Sequence, residues 1–150
     1  MTAKKQPRRC LVLGYDRTES ARRAAEWAAK DLSPNGLLVI VHASRPLHAP
    51  VDPLSTPHER SELGRAMIDE LLLEGSGALN SIEVVTEVHD DDPVKSLVDA
   101  ANRHDATAIV LGSEHHSRLH RALGVVSGDL LKASPVPVIT VPDGVSISSA

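Results

Sequence analysis

Aromatic side chains are nearly missing from this chain: 150 residues contain one Tyr, one Trp and no Phe. A core must therefore be built from Leu, Val, Ile and Ala, and no row of rings exists to stack the bases of a single-stranded nucleic acid. Cysteine occurs once, as Cys10, which excludes an intrachain disulfide framework and a cysteine-rich zinc site. Positive charge is not in excess. Sixteen Lys and Arg against twenty Asp and Glu leave a formal charge of -4, so no basic field draws in a polyanion, and nucleic acid is not an expected partner. No apolar run approaches the ~18 residues a membrane span needs, so no membrane contact is expected. The basic opening 1–9 lacks the apolar core and cleavage site of a signal peptide, and the cytoplasm is the expected compartment. The G-x-S-x-G elbow, the G-x-x-x-x-G-K-[ST] phosphate loop and G-x-G-x-x-G are all absent. No serine has the spacing that identifies a nucleophile with its base, so no catalytic residue is assigned and the chain is not expected to be an enzyme.

What is present divides into a basic arm over 1–9, expected to be disordered, one domain over 10–142 and a flexible Gly/Ser tail over 143–150. Within the domain, short apolar runs alternate with helical patterns. The first, Cys10-Leu11-Val12-Leu13-Gly14, reads as a buried strand. Thr18 or Asp16 then caps a helix over 19–32 whose inner face is mostly Ala, small enough to lie close on a sheet. A second buried strand covers 37–42. Residues 44–58 hold Pro46, Pro50, Pro53 and Pro57 and read as a long surface loop, of the kind that serves as a lid or a partner contact. A helix is expected over 59–73, a half-exposed strand over 82–88, and a helix from Pro93 to about His104 with Asp92 as its cap. A fourth strand covers 108–111 and ends at Gly112. After a basic loop come a helix over 124–133 and a strand over 135–142, whose prolines mark it as an edge strand. The alternation implies a doubly wound α/β fold with helices on both faces of a five-stranded parallel sheet, in an order such as 3-2-1-4-5. In such sheets the ligand crevice lies at the carboxyl ends of the strands flanking the reversal, here the first and fourth. Gly14 to Thr18 and Gly112 to Val126 would line it.

Two readings attach to each candidate residue. Gly112, leaving a strand, and Gly124, opening a helix, let backbone N–H groups cradle a phosphate, or they serve only a tight turn and close helix packing. Asp16 accepts from a base amino group or a ribose hydroxyl, or it is a helix cap. His115, His116 and His120 form a local cluster with only Glu114 as a carboxylate nearby, and solvated loop histidines are the better account than a metal site. Asp90, Asp91 and Asp92 are explained in part by helix capping, so no metal is assigned there either. Cys10 opens a buried strand and is expected to be core.

From about Arg9 to Pro142 the chain resembles single-domain universal stress proteins. The resemblance is carried by Leu11-Val12-Leu13-Gly14-Tyr15-Asp16-Arg17-Thr18-Glu19-Ser20, by Leu38-Val39-Ile40-Val41-His42-Ala43, by Asp92-Pro93-Val94, by Ala108-Ile109-Val110-Leu111-Gly112-Ser113 and by Ala133-Ser134-Pro135-Val136-Pro137-Val138-Ile139-Thr140-Val141. It implies the fold of the adenine nucleotide alpha hydrolase-like proteins, a stress-response binding or signalling role, and a homodimer through the edge strand Val136–Val141. It also implies a nucleotide crevice of Gly14, Tyr15, Asp16 and Ala43 at the base end, with Leu111, Gly112, Ser113, His115, Gly124, Val125 and Val126 at the phosphate end. ATP or AMP would be the ligand. The phosphate loop departs from the family's ATP-binding form, G-x-x-G, nine residues, then G-[ST]. Its second glycine falls on His115 or His116, the loop to Gly124 is one residue short, and Val125 stands where a hydroxyl donor belongs. Losing both features would weaken ATP binding on the order of tenfold to a few hundredfold. The alternative is an ATP/AMP-binding switch or weak ATPase using the same crevice. A nucleotide-consuming ligase is the weakest reading, because its Ser-Gly-Gly loop is replaced here by Gly14-Tyr15-Asp16-Arg17.

Overall fold

A computed structural model describes residues 8–45, 52–75, 77–113 and 128–142. The elements in chain order are β1 (Cys10–Gly14), α1 (Glu19–Leu32), β2 (Leu37–Ala43), α2 (Pro57–Glu74), α3 (Gly77–Asn80), β3 (Glu83–His89), α4 (Pro93–Arg103), β4 (Ala108–Gly112) and β5 (Val138–Val141). Helical backbone over 128–133 lies between β4 and β5. The strands form one sheet in the order β3-β2-β1-β4-β5, and every pairing is parallel. The expected 3-2-1-4-5 order is thus the observed one, with β5 at one edge.

Period-two alternation sends β1 side chains to two cores. Leu11, Leu13 and Tyr15 pack with the alanines of α1 and with Ile68, Leu71 and Leu79 of α2 and α3. Cys10 and Val12 pack with Leu97, Ala100 and Ala101 of α4 and with Leu130. Ala24, Ala25 and Ala28 are fully buried, which is how α1 lies so close to the sheet.

Several boundaries differ from the sequence reading. α2 begins at Pro57 and not after the Pro-rich stretch, because Thr56 and Glu59 form a reciprocal capping box with Pro57 in the first turn. Within that stretch, 46–51 lie outside the described residues. The short α3 has no periodic pattern to announce it. β5 covers only 138–141 of the expected 135–142. Of the arm expected to be disordered, Arg8 and Arg9 are held: Arg8 bonds Glu83, Arg9 Nη2 donates to Asp31 at 2.6 Å, and the Arg9 carbonyl accepts from Leu37 N at 2.9 Å. Residues 1–7, the tail 143–150 and the helix start expected at Gly124 lie outside the described residues.

Candidate functional site

The ends of β1, β2 and β4 share one rim. The register Leu13↔Val110 puts Gly112 level with Tyr15, so the turn after β1 and the turn after β4 start side by side, as the topology requires. β1 and β2 part company just beyond this level. Tyr15 N donates to Val41 O at 2.9 Å, the last rung between them. The next acceptor, the Tyr15 carbonyl, is taken by the His42 ring, whose Nδ1 lies 2.8 Å away. A carbonyl only accepts, so His42 Nδ1 carries the proton.

This diversion leaves Ala43 with an open edge. In a parallel ladder, alternate residues direct their N–H and C=O to the same side. Val41 points toward β1, and so does Ala43, two residues on. The Ala43–Ser44 peptide gives the same answer, since Ser44 N donates to His89 O at 2.8 Å on the β3 side. A planar trans peptide then sends the Ala43 carbonyl the opposite way. Neither the N–H nor the C=O of Ala43 finds a partner on that side among the described residues.

Asp16 stands exposed at the tip of the β1 turn. Its Oδ1 accepts from Thr18 N at 3.1 Å and Thr18 Oγ1 at 2.6 Å. The helix cap itself is Thr18, whose Oγ1 accepts from Ala21 N at 3.1 Å. Asp16 therefore braces the cap, and its Oδ2 takes no hydrogen bond among the described residues. Arg17, at φ 68°, turns the chain into α1 and pairs with Glu70 at 3.2 Å.

The other candidates divide. Tyr15 is buried in the core, with its side chain turned away from the crevice and only its backbone at the rim. Burial pushes its phenol above the ordinary value, partly opposed by the Arg22 guanidinium. Leu111 is likewise a core side chain. Gly14 has the Leu111 and Leu97 methyls where a side chain would go, 2.8 Å and 3.4 Å from an ideal Cβ. Gly112 abuts Ser20 of α1. Ser113 N donates to Val141 O at 3.0 Å, which spends that amide on the β5 ladder. Packing and pairing thus account for the described part of the phosphate end. His115, Gly124, Val125 and Val126, with His116, His120, Arg118 and Arg121, lie outside the described residues.

Each aspartate of the acidic run after β3 has partners. Asp92 caps α4, accepting from Val94 N at 2.7 Å and Lys95 N at 3.2 Å. Asp91 accepts from Asp92 N at 2.8 Å and pairs with Lys95 at 3.0 Å. Asp90 sits in a fork from Arg60, with Nε on Oδ1 at 2.8 Å and Nη2 on Oδ2 at 2.9 Å. The Arg60 bonds, helped by Ser44, hold its carboxyl at about 2 against an ordinary 3.8. On the α4 face of β3, Glu87 gathers His89 Nε2 at 2.7 Å together with His104 and Arg103. Burial raises the Glu87 carboxyl, but those donors outweigh it and the net shift is downward. No group of three His, Cys, Asp or Glu among the described residues has the geometry to hold a metal ion. Cys10 is buried, and burial pushes its thiol up, away from reactivity. Sequence reasoning missed His42, Ser44 and Arg60. Nothing local marks Arg60, whose partner lies thirty residues on.

The model of the universal stress protein family matches residues 8–142. No curated protein matches the chain in sequence. Among solved structures, a universal stress protein of Lactobacillus plantarum superposes with TM-score 0.64 at 22% identity, over 91% of this chain and 99% of its own. A universal stress protein of Archaeoglobus fulgidus in complex with dAMP gives TM-score 0.58 at 20% identity, over 89% and 96%. An Arabidopsis thaliana member with AMP bound gives TM-score 0.61 at 16% identity, over 89% and 91%. At these identities the likeness is one of fold. No helix among the described residues is long and apolar enough to cross a membrane.

Proposed function

Since this chain belongs to the universal stress protein family, we propose that it is a non-catalytic stress-response module that binds an adenosine monophosphate and acts as a homodimer in the cytoplasm. The observation that carries this reading is the donor–acceptor edge of Ala43 on the same rim as Asp16 Oδ2, neither of which has a hydrogen-bond partner among the described residues. Adenine presents an acceptor at N1 next to a donor at N6, which complements an N–H and a C=O from one residue. Guanine presents the opposite order, so the same edge rejects it. Asp16 Oδ2, an acceptor only, suits a ribose hydroxyl or an amino group.

At the phosphate end the reading favours one phosphate over three. Gly112 and Ser113 are committed to packing and pairing, and the sequence puts Val125 where a hydroxyl would meet a further phosphate oxygen. The relatives with AMP and dAMP bound are in keeping with a monophosphate. The dimer has its own physical reason: β5 is a sheet edge, and an unpaired edge is a liability that a second copy relieves.

Calorimetric titration with AMP and ATP, with and without magnesium, tests the proposal. The expected result is micromolar AMP affinity that Asp16→Ala removes, with ATP weaker on the order of tenfold or more. ATP binding tighter than AMP, with phosphate released, would make the protein a switch or weak ATPase. Absence of heat with either nucleotide would leave a nucleotide-free module.

A further inference from the structure

Beside the crevice, one guanidinium ties together three separate stretches of chain. Arg60, in the first turns of α2, forks onto Asp90 at the end of β3 at 2.8 and 2.9 Å. Its remaining nitrogen, Nη1, donates to the Ser55 carbonyl and hydroxyl, both at 2.8 Å. Asp90 Oδ1 also accepts from the Ser44 hydroxyl at 3.0 Å. That hydroxyl lies 3.2 Å from the His89 carbonyl, the acceptor of Ser44 N. Side-chain exposures of 13% for Arg60 and 18% for Asp90 make this a partly sheltered pair. Arg45 Nε stands 3.7 Å from the same Oδ1 and is half exposed.

The consequence reaches Ala43 through one peptide plane. Ser44 N–H and the Ala43 carbonyl belong to the same rigid unit, so whatever fixes the first aims the second. We infer that Arg60 and Asp90 are positioning residues for the base edge: they lock Ser44 onto β3 and so hold the Ala43 carbonyl toward the crevice, setting selectivity for adenine over guanine. This rests on the nucleotide-binding reading above. Affinity for phosphate and ribose depends on other residues and does not pass through this lock. Loss of Arg60 therefore acts on discrimination more than on overall binding. Lysine is a poor replacement, since it offers a point charge in place of a planar fork.

The test compares AMP and GMP titrations of the unmutated protein with Arg60→Met, Arg60→Lys and Ser44→Ala, together with hydrogen exchange at the Ser44 amide without nucleotide. Arg9→Met, which breaks an ion pair at the opposite rim, serves as the control for general loss of stability. The AMP-to-GMP affinity ratio is expected to fall about tenfold in Arg60→Met and about threefold in Ser44→Ala. It recovers only in part in Arg60→Lys, and the backbone amide at position 44 exchanges faster in all three. Arg9→Met leaves both readouts unchanged. An unchanged ratio in Arg60→Met and Ser44→Ala, with melting temperatures lowered as in Arg9→Met, would reduce the pair to a structural brace and overturn the inference. Should Arg60→Met fail to fold, Ser44→Ala decides, since it removes a single hydroxyl. If the unmutated protein binds neither nucleotide, the functional reading itself fails, a result visible before any variant is made.

Discussion

Gly112 at the end of β4 lies directly against Ser20 in the first turn of α1. An ideal Cβ on Gly112 would fall 2.5 Å from the Ser20 carbonyl oxygen and 2.6 Å from its Oγ, with the carbonyl carbon closer still. The obstacle is helix backbone, which cannot swing aside as a side-chain tip can. A glycine that sequence alone offers as a phosphate contact is therefore required by the approach of α1 to the sheet. Gly112→Ala is expected to destabilise the fold by roughly 1–3 kcal/mol, the range for overpacking. The loss should be the same with and without AMP in thermal unfolding. A normal melting temperature with AMP binding abolished would return Gly112 to the phosphate.

Thr18 joins stability to the site. Its hydroxyl accepts from Ala21 N, capping α1, and donates to Asp16 Oδ1. Thr18→Ala should cost about 1 kcal/mol as a lost cap. It should also release the Asp16 carboxylate from its fixed orientation, lowering AMP affinity a few fold. Chemical denaturation and calorimetry on one preparation measure both effects. A stability loss with unaltered affinity would show that the Asp16 brace has no part in binding.

How far the sequence discloses this arrangement depends on whether a feature is local. The strands are legible because buried parallel strands are continuous apolar runs, as at Leu38 to Val41, and the start of α4 because Asp92-Pro93 is a local cap signal. The start of α2 is legible in principle from Thr56 and Glu59, three apart, but Pro46, Pro50 and Pro53 upstream argue for loop. The inward turn of Tyr15 follows from alternation after Leu11 and Leu13, while its aromatic ring at a loop start suggests the crevice instead. By contrast, the His42 ring capping the Tyr15 carbonyl and the Arg60 fork on Asp90 join residues 27 and 30 apart, and no pattern in the chain announces either. The open edge of Ala43 depends on the first of these contacts, so it becomes visible only in three dimensions.

Acid sensitivity follows from Asp90. Its folded-state carboxyl titrates at about 2, below the ordinary 3.8, chiefly because of the Arg60 bonds. A depressed carboxyl stabilises the fold above its unfolded value, and that contribution fades as pH falls toward the folded one. Asp90→Asn should therefore melt below the unmutated protein at neutral pH, and the gap should narrow from about pH 4 downward, nearly closing by about pH 2. Glu87, also shifted downward, is present in both proteins and cancels in the difference. Melting curves taken between pH 7 and about 2 check this. A gap independent of pH would mean that the pair contributes through packing and not through charge.

The edge strand offers a substitution that separates dimer from fold. Pro137 O accepts from Ile109 N at 2.9 Å and Val141 O from Ser113 N at 3.0 Å, so the odd-numbered residues of β5 face β4. Val138 and Thr140 direct their N–H and C=O to the outer edge. Thr140 is exposed, and proline there removes one outward donor while leaving every rung to β4 in place. If two copies pair through this edge, Thr140→Pro should turn a dimer into a folded monomer, seen by light scattering during gel filtration at tens of micromolar, with circular dichroism unchanged. A substitution at Thr86 on β3, the opposite sheet edge, should leave the dimer intact. A dimer that survives Thr140→Pro would put the interface elsewhere on the molecule, and the exposed Leu63 and Leu73 of α2 would be the next surface to alter.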